Sequence, residues 1–162
     1  MEEEIIRQLV DLPFLPSSKT VIKTGFSLAK PKPDDVLADL GCGDGRVLVY
    51  AAKNYGIYSV GYELNPVLVR LAKREVRWNG VDGLVDIVES DFFEVDLSRF
   101  SLIFVYPSPK ITRPLSLKLL SECRPGCRII VHDHALEGMT PMYEVHIPTG
   151  TVHVHKVYVY VI

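Results

Sequence analysis

The residues best suited to chemistry are three acidic side chains, Asp39, Glu63 and Asp91, and a glycine run beside the first. Asp39-Leu40-Gly41-Cys42-Gly43-Asp44-Gly45-Arg46 directly follows the apolar stretch that begins at Val36. Alternating glycines let the backbone turn tightly and approach a ligand without side-chain clash. The spacing is G-x-G-x-G, and Arg46 and Val47 stand where a dinucleotide fingerprint places its last glycine. An acidic residue ahead of the first glycine suits a ligand with positive charge near the turn, where a dinucleotide would put a pyrophosphate. Glu63 follows about 20 residues later, where a carboxylate accepts both ribose hydroxyls of an adenosine. Asp91 can accept the exocyclic amine of adenine, and Phe92 offers an apolar wall for the ring. Each has an ordinary alternative, a surface acid or a plain glycine turn. Together and in order they specify an adenosine with a cationic tail.

These side chains need strands to present them. Val36–Leu40 is mostly apolar and too short for an ordinary helix, so it reads as a buried strand. Val47, Leu48, Ala51, Ala52 and Tyr55 then repeat at helical spacing up to Gly56, a left-handed cap. Residues 59–63, 84–88, 102–106 and 127–131 read as further strands, 102–106 as apolar as a strand buried on both faces. Asn65 caps a helix with Pro66 at its first position. Leu68, Leu71, Ala72 and Val76 form its inner stripe, and Arg70, Lys73, Arg74 and Arg77 its solvated face. Leu115, Leu119 and Leu120 mark another helix before Pro125-Gly126. At the N-terminal end, residues 1–12 form an amphipathic helix and 13–18 a proline loop. Ser17 or Ser18 caps the next helix, whose packing face is Val21, Ile22, Gly25, Phe26 and Ala29. Residues 143–147 and 152–162 flank Pro148-Thr149-Gly150 as a hairpin. The order predicts an α/β, Rossmann-like fold: a doubly wound, mostly parallel sheet with a C-terminal antiparallel hairpin, binding ligands at the carboxyl ends of its strands.

With 162 residues the chain makes one domain, 1–162, with a helical segment and loop at 1–30 and the hairpin at 142–162. A formal charge of -2 exerts no global pull on nucleic acid or an anionic membrane. No apolar run reaches the ~20 residues of a membrane span. Met1-Glu2-Glu3-Glu4 is the reverse of a basic signal-peptide start. Cys42, Cys123 and Cys127 are odd in number and lack a paired metal spacing, so reduced thiols in a cytoplasm are expected. A cytoplasmic monomer follows as the expectation.

S-adenosylmethionine carries the ammonium and sulfonium that the acidic glycine turn calls for. The stretches Asp39–Arg46, Glu63-Leu64-Asn65-Pro66 and Asp91-Phe92-Phe93-Glu94-Val95-Asp96-Leu97-Ser98 resemble those of class I S-adenosylmethionine-dependent methyltransferases. More narrowly, the chain is similar to the small archaeal protein-lysine methyltransferases, relatives of the mitochondrial ATP-synthase c-subunit lysine methyltransferase. Phe14-Leu15-Pro16-Ser17 resembles that family's aromatic-x-Pro-Thr loop, which folds over the methionine moiety. Leu119–Arg128 and His132-Asp133 follow its later pattern. Two places depart from it: Tyr106-Pro107-Ser108-Pro109 replaces an aliphatic stretch, and Met139 stands in a tryptophan region. The resemblance implies S-adenosylmethionine as cofactor and S-adenosylhomocysteine as product. The cofactor set is then Phe14, Ser17, Asp39, Leu40, Gly41, Cys42, Gly43, Glu63, Leu64, Asn65, Asp91, Phe92 and Val105.

Such an enzyme transfers methyl groups to nitrogen, here to lysines of accessible proteins. Tyr106, His132 and Asp133 end strands four and five and are the candidates to line the acceptor site, although a strand-end histidine also has ordinary packing roles. Two alternatives remain. Methyltransferases acting on nucleic-acid amines place Asn/Asp-Pro-Pro-aromatic after the fourth strand, and Tyr106-Pro107-Ser108-Pro109 shares one proline with that motif but lacks its acceptor. A non-catalytic cofactor-binding module is the other. His132/His134 and His153/His155 each fall on one side of a strand and could meet, but no Cys/His zinc spacing appears, so no structural metal is expected.

Overall fold

The computed structural model describes residues 14–150 and 152–162, so the helix expected over 1–12 lies outside the described residues. Helix α1 (Lys19–Ala29) leads into β1 (Val36–Leu40), α2 (Arg46–Tyr55), β2 (Tyr58–Glu63), α3 (Pro66–Trp78) and β3 (Val85–Glu89). After a 3₁₀ turn at Phe92–Glu94 come β4 (Leu102–Val105), a second 3₁₀ turn at Pro109–Ile111, α4 (Thr112–Glu122) and β5 (Arg128–His132). The chain ends with β6 (Tyr143–Pro148) and β7 (Val154–Val161).

The seven strands form one sheet in the order β3-β2-β1-β4-β5-β7-β6. The first five are parallel; β7 runs antiparallel to both β5 and β6, so the expected hairpin joins the sheet through its second strand. Strand order reverses between β1 and β4, and ligands of such sheets bind outside the carboxyl ends at that point.

Period-two alternation divides the core between the faces. Leu37, Leu102, Phe104 and Ile130 pack with α1 and α2 on one side. Ala38, Leu40, Ile103, Val105, Ile129 and Val131 pack with Leu115 and Leu119 of α4 on the other. Phe26 of α1 anchors the first layer, its ring 5.5 Å from Tyr50, 5.6 Å from Tyr55 and 6.4 Å from Phe104.

The caps follow local chemistry. Ser18 Oγ accepts from Val21 N, which assigns the cap of α1 to Ser18 and frees Ser17 for another partner. Asn65 Oδ1 accepts from Val67 N at 2.9 Å, with Pro66 opening α3. Gly56 closes α2 with φ 63°. One stripe position is corrected. Val69 of α3 is buried and Leu71 only partly so, because the inner face is set by contact with β2 and β3. On α4, Leu120 is exposed. Strand ends shift by a residue or two: Tyr106 lies just past β4, and Asp91 caps the 3₁₀ turn beyond β3 rather than ending that strand.

Candidate active site

The turn after β1 is held by its own backbone. Gly41, Gly43 and Gly45 have φ of 81°, 54° and 82°, a left-handed region costly for side-chain-bearing residues. Gly41 and Cys42 both donate their N–H groups to Tyr62 O at 2.9 Å. The side chain of Cys42 points into the core: a Cβ on Gly61 would meet its Sγ at 2.7 Å and Leu48 Cδ1 at 2.5 Å. Burial raises the Cys42 thiol well above its ordinary range, with Asp39, Glu63 and Asp44 adding to it. Cys42 therefore contributes only its backbone to the turn.

Glu63 reaches back across this turn. Its Oε2 accepts from Gly43 N and its Oε1 from Asn65 N, both at 3.0 Å. Asp44 covers the entrance to α2, accepting from Arg46 N at 3.2 Å and pairing with the Arg46 guanidinium at 2.7 Å. Asp39 is buried, and burial together with the charges of Asp44 and Glu63 pushes its carboxyl well above the usual carboxylate range. Three acidic groups thus crowd one turn in which the Gly41, Cys42, Gly43, Gly45 and Arg46 N–H groups are already committed. Such a place repels a pyrophosphate and favours a cation.

A cavity of about 420 Å³ opens here, within the range of small-molecule sites. Phe14, Gly41, Gly43, Glu63 and Asn65 line one part of it, and Tyr106, Pro107, Ser108 and His134 another. It sits at the carboxyl ends of β1, β2 and β4, where the strand order reverses. Of the expected cofactor residues, Ser17, Asp39, Leu40, Cys42, Leu64, Asp91, Phe92 and Val105 do not line it. Leu40 and Val105 are buried in the sheet, Leu64 is exposed, and Asp91 holds Phe93 N at 2.9 Å. Leu15, Leu68, Pro107, Ser108, Pro109 and His134 line the cavity without having been expected there. All but Leu68 stood in stretches the sequence had marked: Leu15 in the proline loop, Pro107, Ser108 and Pro109 after the fourth strand, and His134 beside His132 and Asp133.

The far wall is backed by a polar cluster. Tyr106 donates its hydroxyl to Asp133 Oδ2 at 2.7 Å, and its ring lies 3.8 Å, centroid to centroid, from that of His132. Burial raises the Tyr106 phenol above its ordinary range, and Asp133 adds to this through the hydrogen bond and its charge. Burial alone would raise the Asp133 carboxyl as well. The Tyr106 hydroxyl, Lys156 N–H and neighbouring histidines outweigh it and hold Asp133 at about 2. His132 is fully buried, which pushes its imidazole down to about 4 against the pull of Asp133; His155, His134 and His153 add to the fall. Its Nδ1 lies 2.8 Å from Ser17 Oγ, tying the N-terminal loop to β5, and its Nε2 lies 2.9 Å from His155 Nδ1. The two histidine pairs do not meet as pairs. His132, His153 and His155 gather on Asp133, while His134 turns to the cavity.

The sheet order, the reversal point and the acidic turn define a class I methyltransferase. A family model described as the ANTKMT methyltransferase domain matches residues 39–143. A protein-lysine N-methyltransferase of Saccharolobus islandicus is 35% identical over 152 residues, 93% of this chain and 94% of that protein. The human lysine N-methyltransferase of the ATP synthase c-subunit is 33% identical over 82% of this chain and 56% of that protein. The crystal structure of an RNA methyltransferase from Salinibacter ruber, bound to S-adenosyl-L-homocysteine, superimposes with a TM-score of 0.85 at 32% identity, covering 91% of this chain and 94% of that one. The chain belongs to the ANTKMT methyltransferase family.

Proposed function

We propose that this protein transfers methyl groups from S-adenosylmethionine to lysine side chains of other proteins. One observation carries the reading: a single cavity joins the acid-ringed glycine turn to the Tyr106–Asp133 hydrogen bond. The Saccharolobus islandicus and human relatives, both named as lysine methyltransferases, support the same acceptor. The crowded carboxylates fit the ammonium and sulfonium of the cofactor, the three free buried cysteines suit a reducing cytoplasm, and the similarity to the Saccharolobus islandicus protein supports an enzyme of the archaeal type.

The cofactor, when bound, supplies an electrophilic methyl group on a cationic sulfur. Glu63 would hold it: each carboxylate oxygen accepts one backbone N–H and keeps a lone pair for a hydroxyl donor. Gly41 and Gly43 offer bare backbone beside it, Asn65 and Phe14 flank it, and Asp91 and Phe92 stand beyond Glu63.

On the acceptor side, Tyr106 is the catalytic candidate because it alone of the three predicted residues lines the cavity. Its phenol stays protonated at neutral pH and donates to Asp133, which leaves oxygen lone pairs for an incoming amine. Its ring face and the negative charge of Asp133 both attract an ammonium. Lysine, with an ordinary pKa near 10.4, must shed a proton before it attacks. Desolvation among Tyr106, Pro107 and Pro109 lowers that value. His132 and Asp133 act through Tyr106 and are positioning residues.

A second reading, methylation of an RNA amine, is favoured by the name of the Salinibacter ruber relative. Transfer of tritium from labelled S-adenosylmethionine to a lysate separates the two. Label in protein, located on lysine by mass spectrometry, supports the proposal. Label confined to RNA overturns it in favour of the second reading, and no label in either fraction overturns both.

A further inference from the structure

The cluster behind Tyr106 holds more than positioning requires. His132 Nε2, His155 Nδ1 and Asp133 Oδ1 converge from the end of β5 and the start of β7. Their separations are 2.9 Å between the two nitrogens, 3.4 Å from His132 Nε2 to Asp133 Oδ1 and 3.3 Å from His155 Nδ1 to Asp133 Oδ1. A tetrahedral zinc ion with ligands at about 2.0–2.1 Å has edges of about 3.3 Å. The two separations to Asp133 are those of such edges, and the 2.9 Å between the imidazole nitrogens has to open by only about 0.4 Å to complete one face of the tetrahedron.

The surroundings match what a metal site needs. A ligating histidine uses its other ring nitrogen to bond a neighbour, and His132 Nδ1 lies 2.8 Å from Ser17 Oγ. With its Nδ1–H donated to that oxygen, His132 presents the Nε2 lone pair to the cluster. Asp133 is oriented from behind by Tyr106 at 2.7 Å and by Lys156 N at 2.9 Å. It has φ 62°, one of two non-glycine residues among those described with positive φ, a conformation that persists only where surroundings impose it. His155 keeps a side-chain exposure of 24%, which leaves a route from solvent. His153 Nε2 stands 3.2 Å from Asp133 Oδ2 at the outer edge.

We propose that His132, Asp133 and His155 bind a divalent transition-metal ion of the zinc type. Two imidazoles and a carboxylate suit zinc and its first-row neighbours better than magnesium or calcium, which prefer all-oxygen shells. The ion would clip β7 to the cofactor end of β5 and brace the carboxylate that holds Tyr106. The site is independent of which acceptor is methylated. No spacing motif reports it, because its ligands come from strands that are adjacent only in the sheet.

The test uses tag-free full-length protein, stripped with chelator, dialysed and titrated with zinc alone. We expect one zinc per chain by elemental analysis, and cobalt substitution giving the intense visible bands of a tetrahedral nitrogen/oxygen site without a thiolate charge-transfer band. His155→Gln should weaken zinc binding by at least about 100-fold, whereas His146→Gln, on exposed β6, should not. X-ray absorption on the wild-type protein gives a readout that needs no variant, and imidazole scattering supports the site. Less than about a tenth of a zinc per chain, sulfur in the metal's shell, or unchanged affinity in folded His155→Gln overturns it.

Discussion

Tyr106 sits at the boundary between two environments. Its ring faces the cavity, and its hydroxyl is fixed by a buried carboxylate. Removing only that hydroxyl in Tyr106→Phe leaves the ring against His132 and the cofactor side untouched. Hydrogen bonds involving charged groups contribute roughly 1.5–3 kcal/mol, so kcat should fall about 10- to 100-fold while the KM for S-adenosylmethionine stays within about twofold. Steady-state kinetics check this, and an unchanged kcat would reduce Tyr106 to packing. Glu63 makes the opposite prediction. Glu63→Ala deprives Gly43 N and Asn65 N of their acceptor and takes a negative charge from the turn. Cofactor affinity measured by calorimetry should drop by at least about tenfold.

Between residue and fold, the decisive element is the end of β5 with the β7 strand laid against it. The histidine buried there has a thermodynamic consequence. Unfolded, His132 takes up a proton below about pH 6.5; folded, it does so only at about 4. As pH falls through this window the unfolded state binds the extra proton. The stability contributed by the neutral ring is complete above about 6.5 and lost on the way down to about 4. Burial is the main cause, Asp133 opposes it, and His134, His153 and His155 reinforce it. Urea unfolding of chelator-treated protein should show a loss on the order of 2 kcal/mol between pH 7.5 and pH 5. His132→Gln should flatten the dependence, and an equally steep slope in that variant would assign it elsewhere.

Across the whole molecule, the amino ends of the strands are tied together at the end opposite the cavity. Arg128 opens β5 and donates to Ala29 O and Lys30 O, both at 2.9 Å, and to the carboxylate of Asp35. Asp35 also accepts from Lys32 N at 2.6 Å and from Ser101 Oγ at 2.7 Å, and Ser101 Oγ in turn accepts from Val36 N. This network joins α1, β1, the entry to β4 and β5. Burial would raise the Asp35 carboxyl, but these hydrogen bonds and the Arg128 charge hold it below its ordinary value. Arg128→Met strands a buried carboxylate and should cost about 3–5 kcal/mol. Adding Asp35→Asn should recover part of that in denaturant titrations. If the double variant is no more stable than the single one, the unpaired charge is not the cause.

Much of this was legible from local pattern. Apolar runs, glycine caps and Asn65-Pro66 marked strands and helices because backbone preferences act over a few residues. Glu63 was placed by its distance from the glycines, since a strand-turn-helix-strand unit has nearly fixed length. The misses have another physics. Val69 in place of Leu71 depends on which neighbour covers the helix. The depth of Asp39, buried off the cavity wall, is set by the strands on either side of β1. Of the two candidate caps Ser18 took the role, and the reach of Ser17 to His132 is a tertiary contact. The gathering of His132, His153 and His155 on Asp133 depends on the β5–β7 register, in which His132 stands opposite Val157. Alternation shows which histidines share a side of each strand, but whether two strands some 20 residues apart bring them together stays open, because neither strand's own preferences encode the partner it will lie against.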